Sequence, residues 1–240
     1  MNYIGYVFSS SVLLTSFLHA ATISGTFNPS SPGLETIDLT TTGTLNWAIF
    51  EGTGIANSKA GGGSAFSDLS CVAGNDIRTG TDASTQLSWT DGSTIATATG
   101  YRKFTYAFPF DTVGVGVSFK YTLEAESVRM SVFLVDFDGG QSLTANNSNL
   151  FSATVSSGGT FSQTVFLGDG FDGDHGKGWF DLEVYGSIGD EVTISHTLAS
   201  DIPARITNVG IQAVTITAIP ELGVPTMGLF SLAFLLRRRR

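Results

Sequence analysis

Val113-Gly-Val-Gly-Val-Ser-Phe-Lys-Tyr-Thr-Leu123 alternates without a break. Its odd positions are Val113, Val115, Val117, Phe119, Tyr121 and Leu123, and its even positions are Gly114, Gly116, Ser118, Lys120 and Thr122. A strand sends successive side chains to opposite faces, whereas a helix would scatter these apolar residues around its circumference. The stretch predicts a strand with one buried face, and the same reading extends in both directions. Upstream, Leu45, Trp47 and Ile49 alternate with Thr44, Asn46 and Ala48, and Leu87 and Trp89 alternate with Ser88 and Thr90. Asp91-Gly92 supplies the positive-φ pair of a tight hairpin, with Ile95 opening the returning strand. Downstream, Val128, Met130, Val132 and Leu134 mark one face while Phe133 and Val135 are apolar on the other, so this strand is central and covered on both sides. Phe180, Leu182 and Val184, then Val192, Ile194, His196 and Leu198, repeat the alternation. In the last strand the apolar phase shifts from Val209 and Ile211 to Val214 and Ile216, which requires an extra residue near Gln212-Ala213, a β-bulge.

Helical periodicity is absent outside the two ends, apart from a turn near Ala65 to Leu69. Nine to eleven strands with frequent turns predict an all-β fold, a single two-sheet sandwich of jelly-roll type. The ends read differently. An apolar and small-residue run, Val7 to Leu18, precedes Ala20-Ala21, the pattern of a signal peptide cut after Ala20 or Ala21, although its start carries no Lys or Arg. Three segments result: a signal peptide over 1–20, a β-sandwich domain over 21–218 and a tail over 219–240.

The tail runs Ile219-Pro220-Glu221-Leu222, then the apolar stretch Val224 to Leu236, then Arg237, Arg238, Arg239 and Arg240. Arginines stay on the cytoplasmic side of a bilayer while the apolar stretch partitions into it. The order of Pro-Glu pair, short hydrophobic helix and basic cluster resembles the PEP-CTERM sorting signal, with Leu222 where that family carries a second proline. The resemblance implies that an exosortase recognises and cuts the tail, as signal peptidase cuts the other end. It implies a protein that is exported, membrane-tethered before processing, and then held at the cell surface or in the extracellular matrix. A permanent transmembrane anchor is the competing reading. The thirteen residues from Val224 to Leu236 span only about 20 Å as a helix, against a hydrocarbon core of about 30 Å, which favours a processing signal.

The whole chain carries a net charge of −9. The body from 21 to 218 keeps eight of the twelve basic and twenty of the twenty-one acidic residues, so its own net charge is −12. Such a surface repels phosphate backbones, which excludes nucleic acid as the natural partner. The only cysteine, Cys71, has no partner for an internal disulfide and reads as a small buried hydrophobe. Between Trp47 and Trp89, the landmarks Trp47-Ala-Ile-Phe, Lys59-Ala-Gly-Gly-Gly and Ser88-Trp-Thr-Asp-Gly are similar to an uncharacterised β-domain recurrent in exported bacterial proteins, a likeness that implies no activity.

Candidate sites are few. Asp169, Asp172 and Asp174 lie within the glycine-rich run 168–178 and can offer oxygen ligands to Ca²⁺, with Asp136 and Asp138 as contributors from a second loop. The spacing does not fit the twelve-residue calcium loop, and the first reading is a solvated acidic turn. Flat aromatic rings stack on sugar faces while polar groups take the hydroxyls. Trp47 and Trp89 share faces with core aliphatics, so Trp179 and Tyr101, at strand edges, are the residues to bind an extracellular polysaccharide. His196 belongs to an apolar face and reads as a core or rim histidine, and His175 as a loop residue. A glycoside hydrolase needs two opposed carboxylates, and no catalytic signature singles out a pair. The sequence thus reads as a non-enzymatic exported protein with a structural or adhesive role, with a carbohydrate-binding module as the alternative and a hydrolase as the last.

Overall fold

The computed structural model describes residues 20–29, 35–81, 85–109, 112–138, 148–165, 167, 176–200 and 207–220. Within them every period-two segment becomes a strand, and shorter strands join them. The first half of the chain holds β1 (Thr22–Pro29), β2 (Glu35–Asp38), the one-turn helix α1 (Leu39–Thr42), β3 (Asn46–Glu51), β4 (Gly54–Ser58), β5 (Ser70–Val72), β6 (Asp76–Gly80), β7 (Thr85–Trp89), β8 (Ala98–Tyr101) and β9 (Phe104–Phe108). The second half holds β10 (Gly116–Thr122), β11 (Ser127–Asp138), β12 (Asn149–Val155), β13 (Thr160–Val165), β14 (Gly176–Tyr185), β15 (Glu191–Leu198) and β16 (Thr207–Ala218).

From β9 onward the chain passes back and forth between two sheets. One is ordered β1-β14-β11-β16, and the far edge of β16 is shared by β9 along Gly210–Ile211 and by β3 along Ala213–Ile216. The other is ordered β13-β12-β15-β10-β5. The two orders β9-β16-β11-β14 and β10-β15-β12-β13, reached by alternating sheets, are the jelly-roll wiring of a β-sandwich. Their inner faces supply one core in which Phe119, Tyr121, Met130, Phe151, Phe180 and Ile194 are fully buried. Phe151 and Phe180 stack across the sheets at 4.0 Å between centroids.

Two sequence expectations are borne out residue by residue. Val128, Met130, Val132 and Leu134 face the sandwich core, while Phe133 and Val135 are buried on the outer side of β11. The bulge falls where the phase shift required it: Phe133 pairs with Ala213 and Leu134 with Ile211, which leaves Gln212 over. The extra residue is turned away from the core and its Nε2 donates to the Thr85 carbonyl at 2.9 Å, so the bulge grips the start of β7.

Four expectations are corrected. Sixteen strands form among the described residues rather than nine to eleven, because segments of three to five residues pair at the edges. A third sheet, β2-β7-β8, covers the outer face of the first sheet, where Trp47, Ile49, Phe133 and Ala213 meet Leu39, Leu87 and Trp89 in a second core. Asp91-Gly92 does not close a two-residue hairpin: β7 ends at Trp89 and β8 begins only at Ala98, leaving Ile95 53% exposed in the connection. Val113 is also outside its predicted strand and exposed, since β10 starts at Gly116.

The chain enters and leaves the body at one end. Thr22 pairs with Tyr185, Tyr185 with Ser127, and Val128 with Ala218. Ile219 N–H then donates to the Ser127 carbonyl, and Pro220 is exposed beyond it.

Candidate functional site

The landmarks between Trp47 and Trp89 converge on a polar latch that fastens the third sheet to the sandwich. Asp91 accepts from Thr40 Oγ1 at 2.8 Å, from Trp47 Nε1 at 2.9 Å and from Lys59 Nζ at 2.8 Å. Lys59 Nζ also donates to the Gly43 carbonyl. Partial burial pulls the Asp91 pKa upward, but the hydrogen bonds from Lys59, Thr40 and Trp47, with the Lys59 charge, outweigh it and hold the carboxyl below its ordinary value. The connection after Asp91 is held open by side chains from elsewhere. Asn57 Oδ1 accepts from Thr94 N, its Nδ2 donates to the Ile95 carbonyl, and Trp89 Nε1 donates to the same carbonyl at 2.7 Å. Glycine is required at two places here: a Cβ at Gly92 would lie 2.1 Å from the Ile95 oxygen, and one at Gly62 2.1 Å from Asn46 Oδ1. Asn46 uses its Nδ2 to bind the Gly62 carbonyl and Glu124. These residues are thereby occupied in holding structure.

Beside the latch lies an open cleft of about 340 Å³, lined by Asp38, Ser88, Trp89, Thr90, Thr97, Ala98 and Thr99. The register builds it. Asp38 ends β2 directly opposite Ser88 of β7, and Trp89 pairs with Ala98 of β8. Asp38 caps α1, with Oδ1 accepting from Thr40 N at 3.0 Å. Ser88 Oγ donates to the Ile37 carbonyl, and Thr90 N donates to Thr40 Oγ1. The cleft therefore offers one anchored carboxylate, hydroxyls from Ser88, Thr90, Thr97 and Thr99, and the edge of a tryptophan that is 1% exposed. Such a mixture of donors and acceptors suits a small polyhydroxylated ligand held by hydrogen bonds, with the buried Trp89 ring as packing beneath it rather than a stacking face.

The two residues predicted to stack on sugars both pack at the margin of the second core, against different partners. Tyr101 packs edge-on against Trp89, with centroids 5.5 Å apart, and its hydroxyl donates to Glu51, which also pairs with Lys103 at 2.6 Å. Burial, with Glu51 beside it, pushes the Tyr101 pKa up. Trp179 stands on the outer face of β14, half-buried, with Phe133 at 6.3 Å on one side and its Nε1 directed to Asp181. His196 is fully buried between the sheets, its Nδ1 donating to the Gly210 carbonyl across the core at 3.0 Å.

Asp169, Asp172, Asp174, His175, Glu221 and Arg237 to Arg240 lie outside the described residues, as does the apolar stretch Val224–Leu236. Among the described residues no helix is long and apolar enough to cross a membrane, and no group of three His, Cys, Asp or Glu side chains could hold a metal. Asp136 pairs through its backbone with Gly176, the residue at which the acidic run rejoins the sheet. The cleft residues Asp38, Ser88, Thr97 and Thr99 were not singled out by sequence. The one local signal was Asp38 ahead of Leu-Thr-Thr-Thr, a helix-cap pattern.

No family model matches the chain, and no curated protein matches it. Two solved structures share part of its shape. The enzymatically active domain of tailspike protein 4 of bacteriophage CBA120 is 15% identical over 65% of this chain, with a TM-score of 0.31, and this chain spans a fifth (20%) of that one. The CBM35 from Cellvibrio japonicus Abf62 is 10% identical over 82% of this chain and 99% of its own, with a TM-score of 0.31. At these values neither likeness says what this chain binds or does.

Proposed function

We propose that this chain is an exported, surface-held module that adheres by binding carbohydrate. The observation that carries the reading is the cleft over Trp89, where one fixed carboxylate and four hydroxyl side chains surround a volume at the lower end of the range for small-molecule sites. A single carboxylate lines it, which favours binding over the two-carboxylate chemistry of glycoside hydrolysis. Export and exosortase processing rest on the terminal segments.

A glycan array with the purified protein tests the binding, followed by titration of any hit with short oligosaccharides. Asp38→Asn keeps an efficient helix cap while replacing one acceptor oxygen by a donor. It should weaken the hit by about tenfold, the loss of one hydrogen bond to a charged group. Absence of any hit, or equal binding by the variant, rejects the cleft. Mass spectrometry of the extracellular pool tests the processing, and finding the tail intact through Arg240 there rejects it.

A further inference from the structure

The outer face of β14 starts at Trp179, which packs at the margin of the second core, and runs out to the exposed ring of Tyr185. Its outward residues are Trp179, Asp181, Glu183 and Tyr185, while Phe180, Leu182 and Val184 between them are fully buried in the core. Across the register, β1 contributes Asn28, Thr26, Ser24 and Thr22 opposite these four, and β11 contributes Phe133, Ser131, Arg129 and Ser127. Two rungs of polar side chains, those of Asp181 and Glu183, therefore lie between the two aromatic rings. Trp179 and Tyr185 are separated by six residues, about 20 Å at strand rise, and Tyr185 is 44% exposed.

The rungs are held in place. Asp181 accepts from Asn28 Nδ2 at 2.8 Å, from Trp179 Nε1 at 3.3 Å and from Ser131 Oγ. Arg129 pairs with Glu183 at 2.9 Å. Trp179 is thus fixed from both sides, by Phe133 and by Asp181, so its ring needs no reordering to receive a ligand. On the far side Thr217 Oγ1 donates to the Thr42 carbonyl, which brings α1 up as a wall along the strip.

We propose that this strip is a second carbohydrate surface, one that takes a linear run of an uncharged polysaccharide along β14. Charge selects the occupant. The only cation on the rungs is paired with Glu183 and the remaining carboxylate is saturated by neutral donors, so the strip offers no site for a polyanion, and the net charge of −9 repels one. Length selects it too, because two aromatic rings on one straight strand, with exposed Thr22, Ser24 and Thr26 hydroxyls alongside, match several consecutive sugar rings. The strip goes beyond the cleft, which has room for a short saccharide.

Affinity electrophoresis of the purified protein through gels containing hydroxyethyl cellulose, arabinoxylan, galactomannan or polygalacturonate tests the inference. At least one of the three neutral polymers should retard the protein, and polygalacturonate should not. Tyr185→Ala, a change at an exposed ring, should weaken the retardation about tenfold, the value of one stacking contact. Trp179→Ala should do so at least as strongly, and Ile188→Ala, at an exposed apolar residue off the strip, should leave it unchanged. No retardation by any neutral polymer, stronger retardation by polygalacturonate, or an unaltered Tyr185→Ala overturns the proposal. So does sedimentation as a dimer that Tyr185→Ala dissolves, which would give the face to a second copy. The cleft variant Asp38→Asn should affect short oligosaccharides and leave polymer retardation in place, so the two readings fail separately.

Discussion

Lowering the pH through the range where histidine titrates should unlock the sandwich at His196. The ring is 0% exposed, its Nδ1 donates to the Gly210 carbonyl, and Nε2 has no partner among the described residues. Protonation would put a second N–H and a positive charge where nothing accepts them. Burial accordingly depresses the pKa from 6.5 to about 4, with the Gly210 carbonyl opposing the shift. A group whose folded pKa is depressed contributes its full stability above the unfolded value and loses it as pH falls. Here the contribution is complete above pH 6.5 and lost progressively down to about 4. The difference of roughly 2.5 units at 1.36 kcal/mol each amounts to about 3 kcal/mol. For a body of this size that lowers Tm by about 6–12 °C. His196→Asn keeps a donor near the Nδ1 position and does not titrate. Its baseline stability falls through lost volume, but the slope is what matters. Urea unfolding of both proteins at pH 7.0, 5.5 and 4.5 decides it: since pH 4.5 is still above the folded pKa, the stability difference between them should shrink by about 2 kcal/mol over this range. Parallel profiles would refute the argument, because the surface carboxylates common to both would then account for all acid sensitivity.

Asp91→Ala leaves Trp47 Nε1, Thr40 Oγ1 and Lys59 Nζ without their shared acceptor and should cost about 2–4 kcal/mol in denaturant unfolding. A loss under 0.5 kcal/mol would mean the latch is ornamental. Phe180→Ala removes a ring stacked on Phe151 at 4.0 Å in the core and should cost about 3–5 kcal/mol, measured the same way. Gln212→Ala deletes the bond to the Thr85 carbonyl. It should cost about 1 kcal/mol and raise amide exchange in β7 before that of β11, whereas uniform exchange would detach the bulge from the third sheet. Millimolar calcium should leave Tm unchanged if 168–175 is a solvated acidic turn. A rise of several degrees, abolished by Asp172→Asn with Asp174→Asn, would instead establish a calcium site.

The strands and their inward faces were legible because alternation is local: each residue's face follows from its neighbours through the pleat. Val115 to Leu123 could be assigned that way, and so could Gln212, since a strand that keeps one face buried while its apolar phase slips has no alternative to an extra residue. The misreading of Asp91-Gly92 has a nonlocal cause. Its two residues favour a tight turn, but Asn57 and Trp89 hold the backbone at Thr94 and Ile95, and Asp91 itself is engaged by Trp47 and Lys59. Tyr101 reads as a strand-edge aromatic, and only its packing on Trp89 and its bond to Glu51 withdraw its ring and hydroxyl from solvent.

Sequence alone determined that the body is an all-β sandwich, because hydrophobic period and composition act residue by residue. Tertiary structure decided which strands became neighbours, that a third sheet would shelter Trp47 and Phe133, and where a cleft and an open strip would remain. Those outcomes depend on pairings between residues far apart in the chain, such as Asp38 with Ser88, Asn28 with Trp179 and Gln212 with Thr85. Each of these contacts carries a loop-closure cost that only the assembled core offsets, so no local pattern in the chain records them.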